Sequence, residues 1–224
     1  TCALPISTGG GKSIIPVLIC NRLIASNVDR ICWVAPRRSL AIAGTRTMAA
    51  NGIELMHGQN DIRPARGTKG YACTYDLIAA NPELHAHEFE TARYALVLDE
   101  FHHIACPRPG QSLDGYVWYR SIEPLVERAA FVVLMTGTME RGDKNPMAFI
   151  DYGSHGLPDR KETKETRHFS YPRTQALADG NIVPVEFHHL DSAGTYIDQN
   201  GMRCDYSTLK IEDQSCSRDA LFTA

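Results

Sequence analysis

The sequence lacks several features that would place it outside the class of ordinary globular domains. None of its apolar runs approaches the roughly 20 residues that a membrane helix needs, so no membrane partner is expected. Its first residues carry neither the charged segment nor the long apolar stretch of a signal peptide. It has no internal repeat or low-complexity segment, and its 43% hydrophobic and 22% charged residues exclude general disorder.

Paired cysteines are also missing. The chain has seven cysteines, an odd number, and no two of them form a CxxC pair. Several lie inside apolar runs, among them Cys20 and Cys32. This pattern is typical of reduced, buried thiols, so we expect a cytoplasmic protein without a disulfide framework.

A large excess of one charge is absent too. The 224 residues carry a net charge of −3, which excludes a wholly basic protein that coats nucleic acid. The charge is uneven, however, because residues 1–50 carry a net +5 and the rest of the chain −8. A local basic surface near the start of the chain is therefore expected.

What the sequence does contain is an alternation of apolar strands and helices. Continuous apolar runs over 30–35, 94–98 and 131–135 predict buried strands, and helical spacing occurs over 13–26 and 121–130. A further helix is predicted over 39–50 with Ser39 as its N-cap, and Pro82 is expected to stop a short helix that ends at Ala80. The pattern indicates an α/β fold with a doubly wound, mostly parallel sheet and helices on both faces. Ligands bind such sheets at the carboxyl ends of the strands, where polar residues collect in this sequence.

A glycine-rich segment between the first strand and the first helix has the pattern of a phosphate loop. Its residues are Thr8, Gly9, Gly10, Gly11, Lys12 and Ser13. The backbone N–H groups would hold phosphate oxygens, the lysine would reach the β- and γ-phosphates, and the serine hydroxyl would bind Mg²⁺. The usual pattern has glycine where Ile6 stands. A glycine-rich turn with a solvated lysine would look the same in isolation, and the strand–loop–helix context favours the phosphate interpretation.

A pair of carboxylates follows the apolar strand 94–98. Asp99 is suited to bind or support Mg²⁺, and Glu100 to act as a base or to orient an attacking water. His102 would hydrogen-bond to the end of the next strand and respond to the nucleotide. Zinc binding by His102, His103 and Cys106 is the weaker alternative, because their spacing matches no common zinc set.

With these two segments in place, the sequence resembles the superfamily-2 helicases of the DEAD/DExH-box type, in particular their restriction-subunit-like and phage-type branch. The matching segments are 8–13 (motif I), 34–40 (motif Ia), 72–75 (motif Ib), 99–102 (a DExH form of motif II) and 134–138 (motif III, with glycine for the usual alanine). Residues 171–185 resemble the passage by which these proteins leave their first lobe. In that family another residue replaces the first motif glycine, which agrees with Ile6.

The resemblance implies a RecA-like lobe that binds ATP and Mg²⁺ and hydrolyses ATP through Lys12, Asp99, Glu100 and His102. It also implies nucleic-acid contacts and a link from hydrolysis to lobe movement. The contact residues would be Pro36, Arg37, Arg38, Thr74 and Tyr75, and the coupling residues Thr136 and Thr138. Arginines after a strand are suited to phosphate contacts. DNA is favoured over RNA as the partner, although no motif here specifies contacts to a 2′-hydroxyl.

The resemblance also predicts the organisation of the chain. Residues 1–150 would form the ATP-binding lobe, and residues 151–224 an exit segment toward a second RecA-like lobe, with a β-hairpin around Asn200 and Gly201. Motifs IV to VI, including the arginine finger, have no counterpart, so we expect a fragment. An arginine finger is worth about 10³–10⁵ in turnover, so we expect weak ATP binding and very slow hydrolysis from the chain alone.

Two other functions are compatible with a phosphate loop. A P-loop phosphotransferase that acts on a small molecule would need an acceptor pocket, which the polar segments 58–69 and 107–115 could supply. A nucleotide-dependent interaction module without catalysis is the other alternative. The joint presence of Lys12, Ser13, Asp99 and Glu100 argues against it.

Overall fold

The computed structural model describes residues 2–6, 12, 14–57, 63–138, 141–153, 167–184, 194–197 and 200–206. The chain divides into two compact units, Thr1–Val183 and Pro184–Ala224.

The first unit alternates strands and helices. Its described strands are β1 (Cys2–Pro5), β2 (Arg30–Ala35), β3 (Met56–His57), β4 (Gly70–Thr74), β5 (Tyr94–Asp99), β6 (Phe131–Thr136) and β7 (Arg167–His168). Its described helices are α1 (Ile14–Ala25), α2 (Arg38–Ala49), α3 (Tyr75–Ala80), α4 (Pro82–Thr91), α5 (Val117–Arg128) and α6 (Arg173–Ala178), with a 3₁₀ turn at Phe101–His103.

The strands form one sheet in the order β3-β4-β2-β5-β6-β1-β7, and every strand pair within it is parallel. Alternate residues of the strands β2, β4, β5 and β6 enter different cores, as the two-residue period of a strand requires. Leu96 and Leu98 of β5 pack with residues of α3, α4 and α5, whereas Ala95 and Val97 pack with residues of α1 and α2. The predicted α/β fold with helices on both faces of a parallel sheet is therefore confirmed.

The predicted start of α2 is wrong, whereas the predicted end of the short helix at Ala80 is confirmed. The helix α2 begins at Arg38, and its N-cap is Arg37 without a side-chain hydrogen bond, so Ser39 lies inside the helix. The short helix α3 ends at Ala80, and Pro82 begins a further helix, α4, because the fixed φ and missing N–H of proline suit the first helical position. The break between α3 and α4 falls at Asn81, whose φ of −142° and ψ of 59° are not helical.

The first unit extends past the predicted boundary at residue 150. The edge strand β7 pairs with β1, and Tyr171 forms a parallel bridge with Ile6. Ala176 of α6 is fully buried. These pairings join residues up to Tyr171 to the sheet, and the compact unit ends at Val183. The role of the later segment as an exit toward a second lobe stays a prediction.

The second unit contains the predicted hairpin. Its strands β8 (Gly194–Ile197) and β9 (Arg203–Tyr206) pair antiparallel, with Ile197 opposite Arg203. The connecting residue Gly201 has a φ of +78°, which glycine adopts without strain. The hairpin in the sequence prediction is therefore confirmed.

Two further expectations concern thiols and membranes. Cys20, Cys32 and Cys73 are free and buried, as the apolar runs around Cys20 and Cys32 predict. Within the described ranges, no helix combines the length and the apolar character that crossing a membrane would require.

A buried histidine lies near the amino end of the sheet. His85 of α4 is fully buried, and its Nδ1 shares a hydrogen bond of 2.9 Å with the hydroxyl of Tyr71. Its Nε2 has no hydrogen-bond partner among the described residues. Burial lowers the pKa of His85 from 6.5 to about 4. A proton on this ring would therefore place an uncompensated charge in the core.

This histidine should make the protein acid-sensitive. Below pH 6.5 the unfolded chain binds a proton at His85, whereas the folded chain does so only near pH 4. The contribution of the neutral His85 to the free energy of unfolding is therefore complete above pH 6.5. It is lost as the pH falls toward 4, by about 3 kcal/mol in total. We expect His85→Phe to flatten the pH dependence of the unfolding free energy in this window, measured by urea denaturation. His87→Phe, on the exposed face of α4, is the control, and equal slopes in both variants would contradict the assignment.

Candidate nucleotide site

The carboxyl ends of three neighbouring strands line up at one edge of the sheet. The strand β6 lies between β1 and β5. Pro5 of β1 is in register with Thr136 of β6, and Asp99 of β5 is in register with Met135. The Ile6 N–H donates a hydrogen bond of 3.0 Å to the Thr136 carbonyl, which continues the pairing beyond β1. The segments after β1 and β5 therefore begin close together at the ligand-binding edge of a parallel sheet.

Lys12 connects the segment after β1 to the acidic end of β5. Its ammonium nitrogen lies 3.4 Å from Asp99 Oδ1 and donates a hydrogen bond to Glu100 Oε1. Only 18% of the Lys12 side chain and 10% of the Asp99 side chain are exposed. The structure thus brings together three residues that the sequence assigns to one site. The other members of the predicted phosphate loop, Thr8, Gly9, Gly10, Gly11 and Ser13, lie outside the described residues.

Both carboxylates reach one ammonium because the backbone turns sharply at Glu100. Successive side chains of a strand point to opposite faces, so an extended Glu100 would face away from Asp99. Glu100 instead has φ 50° and ψ 44°, a left-handed conformation that costs a non-glycine residue on the order of 1 kcal/mol. It forms the N-cap of the 3₁₀ turn Phe101–His103. Backbone strain is therefore located at the residue predicted to orient the attacking water.

Burial and neighbouring charges determine the pKa values of the two carboxyls. Burial raises the pKa of Asp99, the ammonium of Lys12 partly offsets this rise, and the charge of Glu100 adds to it. Burial also acts to raise the pKa of Glu100, but hydrogen bonding and charge attraction from Lys12 outweigh it and leave the pKa below its usual range. Lys12 therefore keeps Glu100 ionised, while Asp99 is the carboxyl that lacks full compensation.

The oxygen atoms of Asp99 and Glu100 are compatible with a magnesium ion. Asp99 Oδ1 is buried and receives no hydrogen bond from the described residues, and its ion pair with Lys12 is long at 3.4 Å. Mg²⁺ prefers such oxygen ligands, usually one or two carboxylates together with phosphate oxygens and water. Across the described residues, no group of three or more His, Cys, Asp or Glu side chains could hold a metal ion.

His102 joins the end of β5 to the end of β6. Its Nδ1 lies 2.8 Å from the hydroxyl oxygen of Thr136 and 3.3 Å from Glu100 Oε2. The Thr136 hydroxyl donates to the Thr138 carbonyl at 2.6 Å and accepts from the Thr138 N–H at 3.0 Å. Because the hydroxyl proton is used on Thr138, His102 must donate through Nδ1. Of the predicted coupling residues, Thr136 is thus in direct hydrogen-bond contact with His102, and Thr138 is connected to it through Thr136.

The surroundings of His102 favour its neutral form. Burial lowers its pKa, and the nearby His103, Lys12 and Arg141 lower it further, while the carboxylate of Glu100 acts in the opposite direction. The net pKa of His102 lies below the usual 6.5. At neutral pH the ring therefore donates from Nδ1 to Thr136 and leaves Nε2 as an acceptor.

The predicted nucleic-acid contacts from β2 lie at the same edge of the sheet. Pro36 and Arg37 directly follow β2, and Arg38 is the first residue of α2. Pro36 is half-buried, whereas both arginines are exposed. β2 is adjacent to β5 in the sheet, so these arginines project from the strand end next to the DExH segment.

Of the second pair of predicted contacts, Tyr75 must be corrected. The Tyr75 side chain is fully buried, and its hydroxyl donates a hydrogen bond of 2.9 Å to the Asp99 carbonyl. It cannot reach a nucleic acid, and it instead supports the end of β5 from α3. Thr74 is half-buried, and its hydroxyl accepts a hydrogen bond of 3.2 Å from the Leu77 N–H as the N-cap of α3. Helix capping gives Thr74 a structural role, and its contact with nucleic acid stays a prediction.

One residue at this edge was missed by sequence reasoning. Arg141 lies in the loop after β6 and donates a hydrogen bond of 2.5 Å to the main-chain carbonyl of His102. It also makes a two-pronged contact with Asp143. The available signal was an arginine three residues after Thr138, with an acidic residue two positions further on.

Comparison with known sequences gives distant, uncharacterised relatives. No protein-family model matches the chain. It is 28% identical over 182 residues to an uncharacterised protein of Mycobacterium leprae (strain TN), which covers 80% of this chain and 29% of that protein. It is 26% identical over 197 residues to an uncharacterised protein of Mycobacterium tuberculosis (strain ATCC 25618 / H37Rv), covering 86% of this chain and 31% of that protein. The chain therefore spans about three tenths of the length of these relatives.

Comparison with solved structures places the fold. The Sulfolobus solfataricus SWI2/SNF2 ATPase core, solved in complex with dsDNA, matches 64% of this chain and 29% of that chain, with 15% identity and a TM-score of 0.50. The Pyrococcus furiosus Hef helicase domain matches 80% of this chain and 36% of that chain, with 12% identity and a TM-score of 0.50. The first unit therefore has the RecA-like fold of helicase-type ATPase domains.

Proposed function

We propose that this chain is the ATP-binding motor lobe of a nucleic-acid helicase or translocase. The observation that carries the proposal is the ion pairing of Lys12 with both Asp99 and Glu100 across the ends of β1 and β5. A lysine after a glycine-rich turn and two carboxylates on a nearby strand end are the groups that a nucleotide triphosphate with magnesium requires. The fold is that of helicase-type ATPase domains, which agrees with this chemistry.

Each residue then has a chemical task. The backbone N–H groups of Thr8, Gly9, Gly10 and Gly11 would hold phosphate oxygens, and Lys12 would exchange its carboxylate partners for the β- and γ-phosphates. Ser13 and Asp99 would hold the magnesium ion, which supplies positive charge to the phosphate oxygens when bound. Glu100, kept ionised by Lys12 before the nucleotide arrives, would accept a proton from the attacking water. His102, Thr136 and Thr138 would link that event to movement of the lobe.

The direct test is nucleotide-dependent stabilisation. We expect the unfolding temperature of the chain to rise with ATP and Mg²⁺ together, and to rise much less with either alone, because the carboxylates need the metal ion as compensation. Differential scanning fluorimetry with ATP, ADP and AMP measures this. An unchanged unfolding temperature at millimolar MgATP would contradict the proposed function.

The proposal extends to the partner and to the parent protein. The nucleic acid would be DNA in preference to RNA, the branch restriction-subunit-like or phage-type, and the location cytoplasmic. Because the chain spans only 29% and 31% of its relatives, translocation would belong to the longer protein, with a second RecA-like lobe completing the site. Without that lobe, hydrolysis by this chain should be very slow.

Arg37 and Arg38 should supply much of the affinity for nucleic acid. Replacing both with alanine should weaken binding to single-stranded DNA and reduce the slope of log K against log salt concentration by about 0.7 for each lost phosphate contact. Filter binding between low and moderate salt measures both quantities. The matched control is the double variant Arg22→Ala and Arg46→Ala, which removes the same charge from exposed positions in the last turns of α1 and α2.

The two doubly substituted chains separate the competing functions. An equal loss of affinity for single-stranded DNA in both double variants would mean that only the net charge of the chain matters. No salt-sensitive binding by the unaltered chain, together with MgATP binding, would favour the phosphotransferase alternative over the motor.

A further inference from the structure

The loop after β6 holds His102 through its main chain as well as its side chain. Arg141 Nη1 donates a hydrogen bond of 2.5 Å to the His102 carbonyl oxygen. Only 16% of the Arg141 side chain is exposed, so the guanidinium is packed against the 3₁₀ turn and is not a free surface cation. The side chain of the same histidine is bound by Thr136, at the end of β6.

Asp143 and Asn145 fix the orientation of this guanidinium. Arg141 Nε and Nη2 donate to the two carboxylate oxygens of Asp143 at 3.0 Å and 2.7 Å. Asn145 donates to the same carboxylate from its N–H at 3.0 Å and from its side-chain amide at 3.2 Å. A planar guanidinium held in this two-pronged geometry has a defined direction, which a lysine could not reproduce. Its third nitrogen is thereby aimed at the His102 carbonyl.

This arrangement gives Arg141 a task in the proposed reaction. Glu100 lies two residues before His102 and begins the 3₁₀ turn in a strained, left-handed conformation. The position of its carboxylate therefore depends on how the turn is held. We propose that Arg141 is a positioning residue, which fixes the turn carrying Glu100 and His102 and transmits movement of the loop after β6 to both. This inference rests on the proposed function, in which Glu100 accepts a proton from the attacking water.

Arg141 is not needed simply to keep the two loops together. The Cys106 N–H donates to the Pro146 carbonyl at 2.8 Å, and the Ala148 N–H donates to the Ile104 carbonyl at 3.0 Å. These main-chain bonds already join the loop after β5 to the loop after β6. The contribution of Arg141 is therefore the orientation of the turn, and its replacement should leave the chain folded.

The test compares Arg141→Met, Arg141→Lys and Arg120→Met in the longer protein. Arg120 is an exposed arginine of α5 near Asp114, so its replacement is matched in charge and lies outside the site. We expect both Arg141 variants to lower the single-turnover rate of ATP hydrolysis by about tenfold to about a hundredfold, the effect of a small misplacement. The dissociation constant for MgATP should stay within about twofold, because binding precedes the oriented step. Arg120→Met should change neither quantity.

Two outcomes would overturn the inference while MgATP binding is intact. If Arg141→Met hydrolyses ATP as fast as Arg120→Met, Arg141 has no positioning role. If Arg141→Lys hydrolyses ATP as fast as the unaltered protein, the positive charge alone matters and the two-pronged geometry of the guanidinium does not.

A nucleotide-independent measurement separates this inference from the proposed function. The carbon chemical shift of the His102 main-chain carbonyl, measured by NMR in the 224-residue chain, should move in Arg141→Met and stay unchanged in Arg120→Met, because only the first variant loses the hydrogen bond from Arg141 Nη1. An unmoved chemical shift in Arg141→Met contradicts the contact itself. A moved chemical shift in a chain that binds no MgATP supports the contact and contradicts the proposed function.

Discussion

Lys12→Ala is expected to abolish the stabilisation of the chain by MgATP. The ammonium is the group that would neutralise the β- and γ-phosphates, and no other described cation is paired with Asp99 and Glu100. At a ligand concentration of a hundred dissociation constants, the unaltered chain should gain about 2.7 kcal/mol, which corresponds to roughly 5–10 °C for a domain of this size. In the variant this increment should fall to near zero, as measured by differential scanning fluorimetry.

The increment, and not the absolute unfolding temperature, decides the outcome. Without a ligand, Lys12→Ala also removes the cation that offsets two neighbouring carboxylates, so the variant should start from a lower unfolding temperature. Lys69→Ala is the matched control, because Lys69 is exposed and lies at the opposite edge of the sheet, just before β4. A full nucleotide-dependent increment in Lys12→Ala would show that the phosphate-loop interpretation is wrong.

Glu100→Gln should separate nucleotide binding from hydrolysis. Glutamine has the same shape and can adopt the same left-handed backbone, but it cannot accept a proton from water. We expect the MgATP-dependent rise in unfolding temperature to persist, because Lys12 and Asp99 are unchanged. Hydrolysis should fall by about a hundredfold to about ten-thousandfold, the usual contribution of a general base. The rate is best measured under single-turnover conditions in the longer protein.

Glu83→Gln provides the comparison for this variant. Glu83 is exposed in the first turn of α4, so the same chemical change there should leave hydrolysis unaltered. Equal rates for Glu100→Gln and the unaltered protein would remove the role given to Glu100. Loss of MgATP binding in Glu100→Gln would instead make this residue a ligand of the nucleotide or its metal ion.

The central strands could be predicted from the sequence because they are covered on both faces. The strand β2 has the predicted bounds, and β5 and β6 each extend one residue beyond the prediction. Buried parallel strands show continuous apolar runs, which are easily distinguished from helices by their length and by the residues that stop them. The two-residue strand β7 could not be predicted, since Arg167 and His168 have no strand pattern and are placed only by pairing with β1.

The candidate site was predictable to the extent that strand ends determine it. In a parallel sheet the residues after each strand meet at one edge, so Lys12, Asp99 and Glu100 could be assigned to one site without coordinates. The direction of individual side chains could not be assigned. Tyr75 is polar and follows a strand, yet α3 turns it into the core. Arg141 contacts a main-chain carbonyl, and such contacts carry no residue-type signal on the partner side.

The ion pairs of Lys12 with Glu100 and Asp99 also compete with nucleotide binding, because both use the same ammonium group. A triphosphate must displace two carboxylates from the Lys12 ammonium before its phosphates can pair with that group. The loss of the two internal ion pairs therefore offsets part of the binding free energy. A magnesium ion that binds Asp99 would loosen these ion pairs beforehand. Metal ion and nucleotide should therefore assist each other's entry, and reciprocally so, since any such coupling acts equally in both directions.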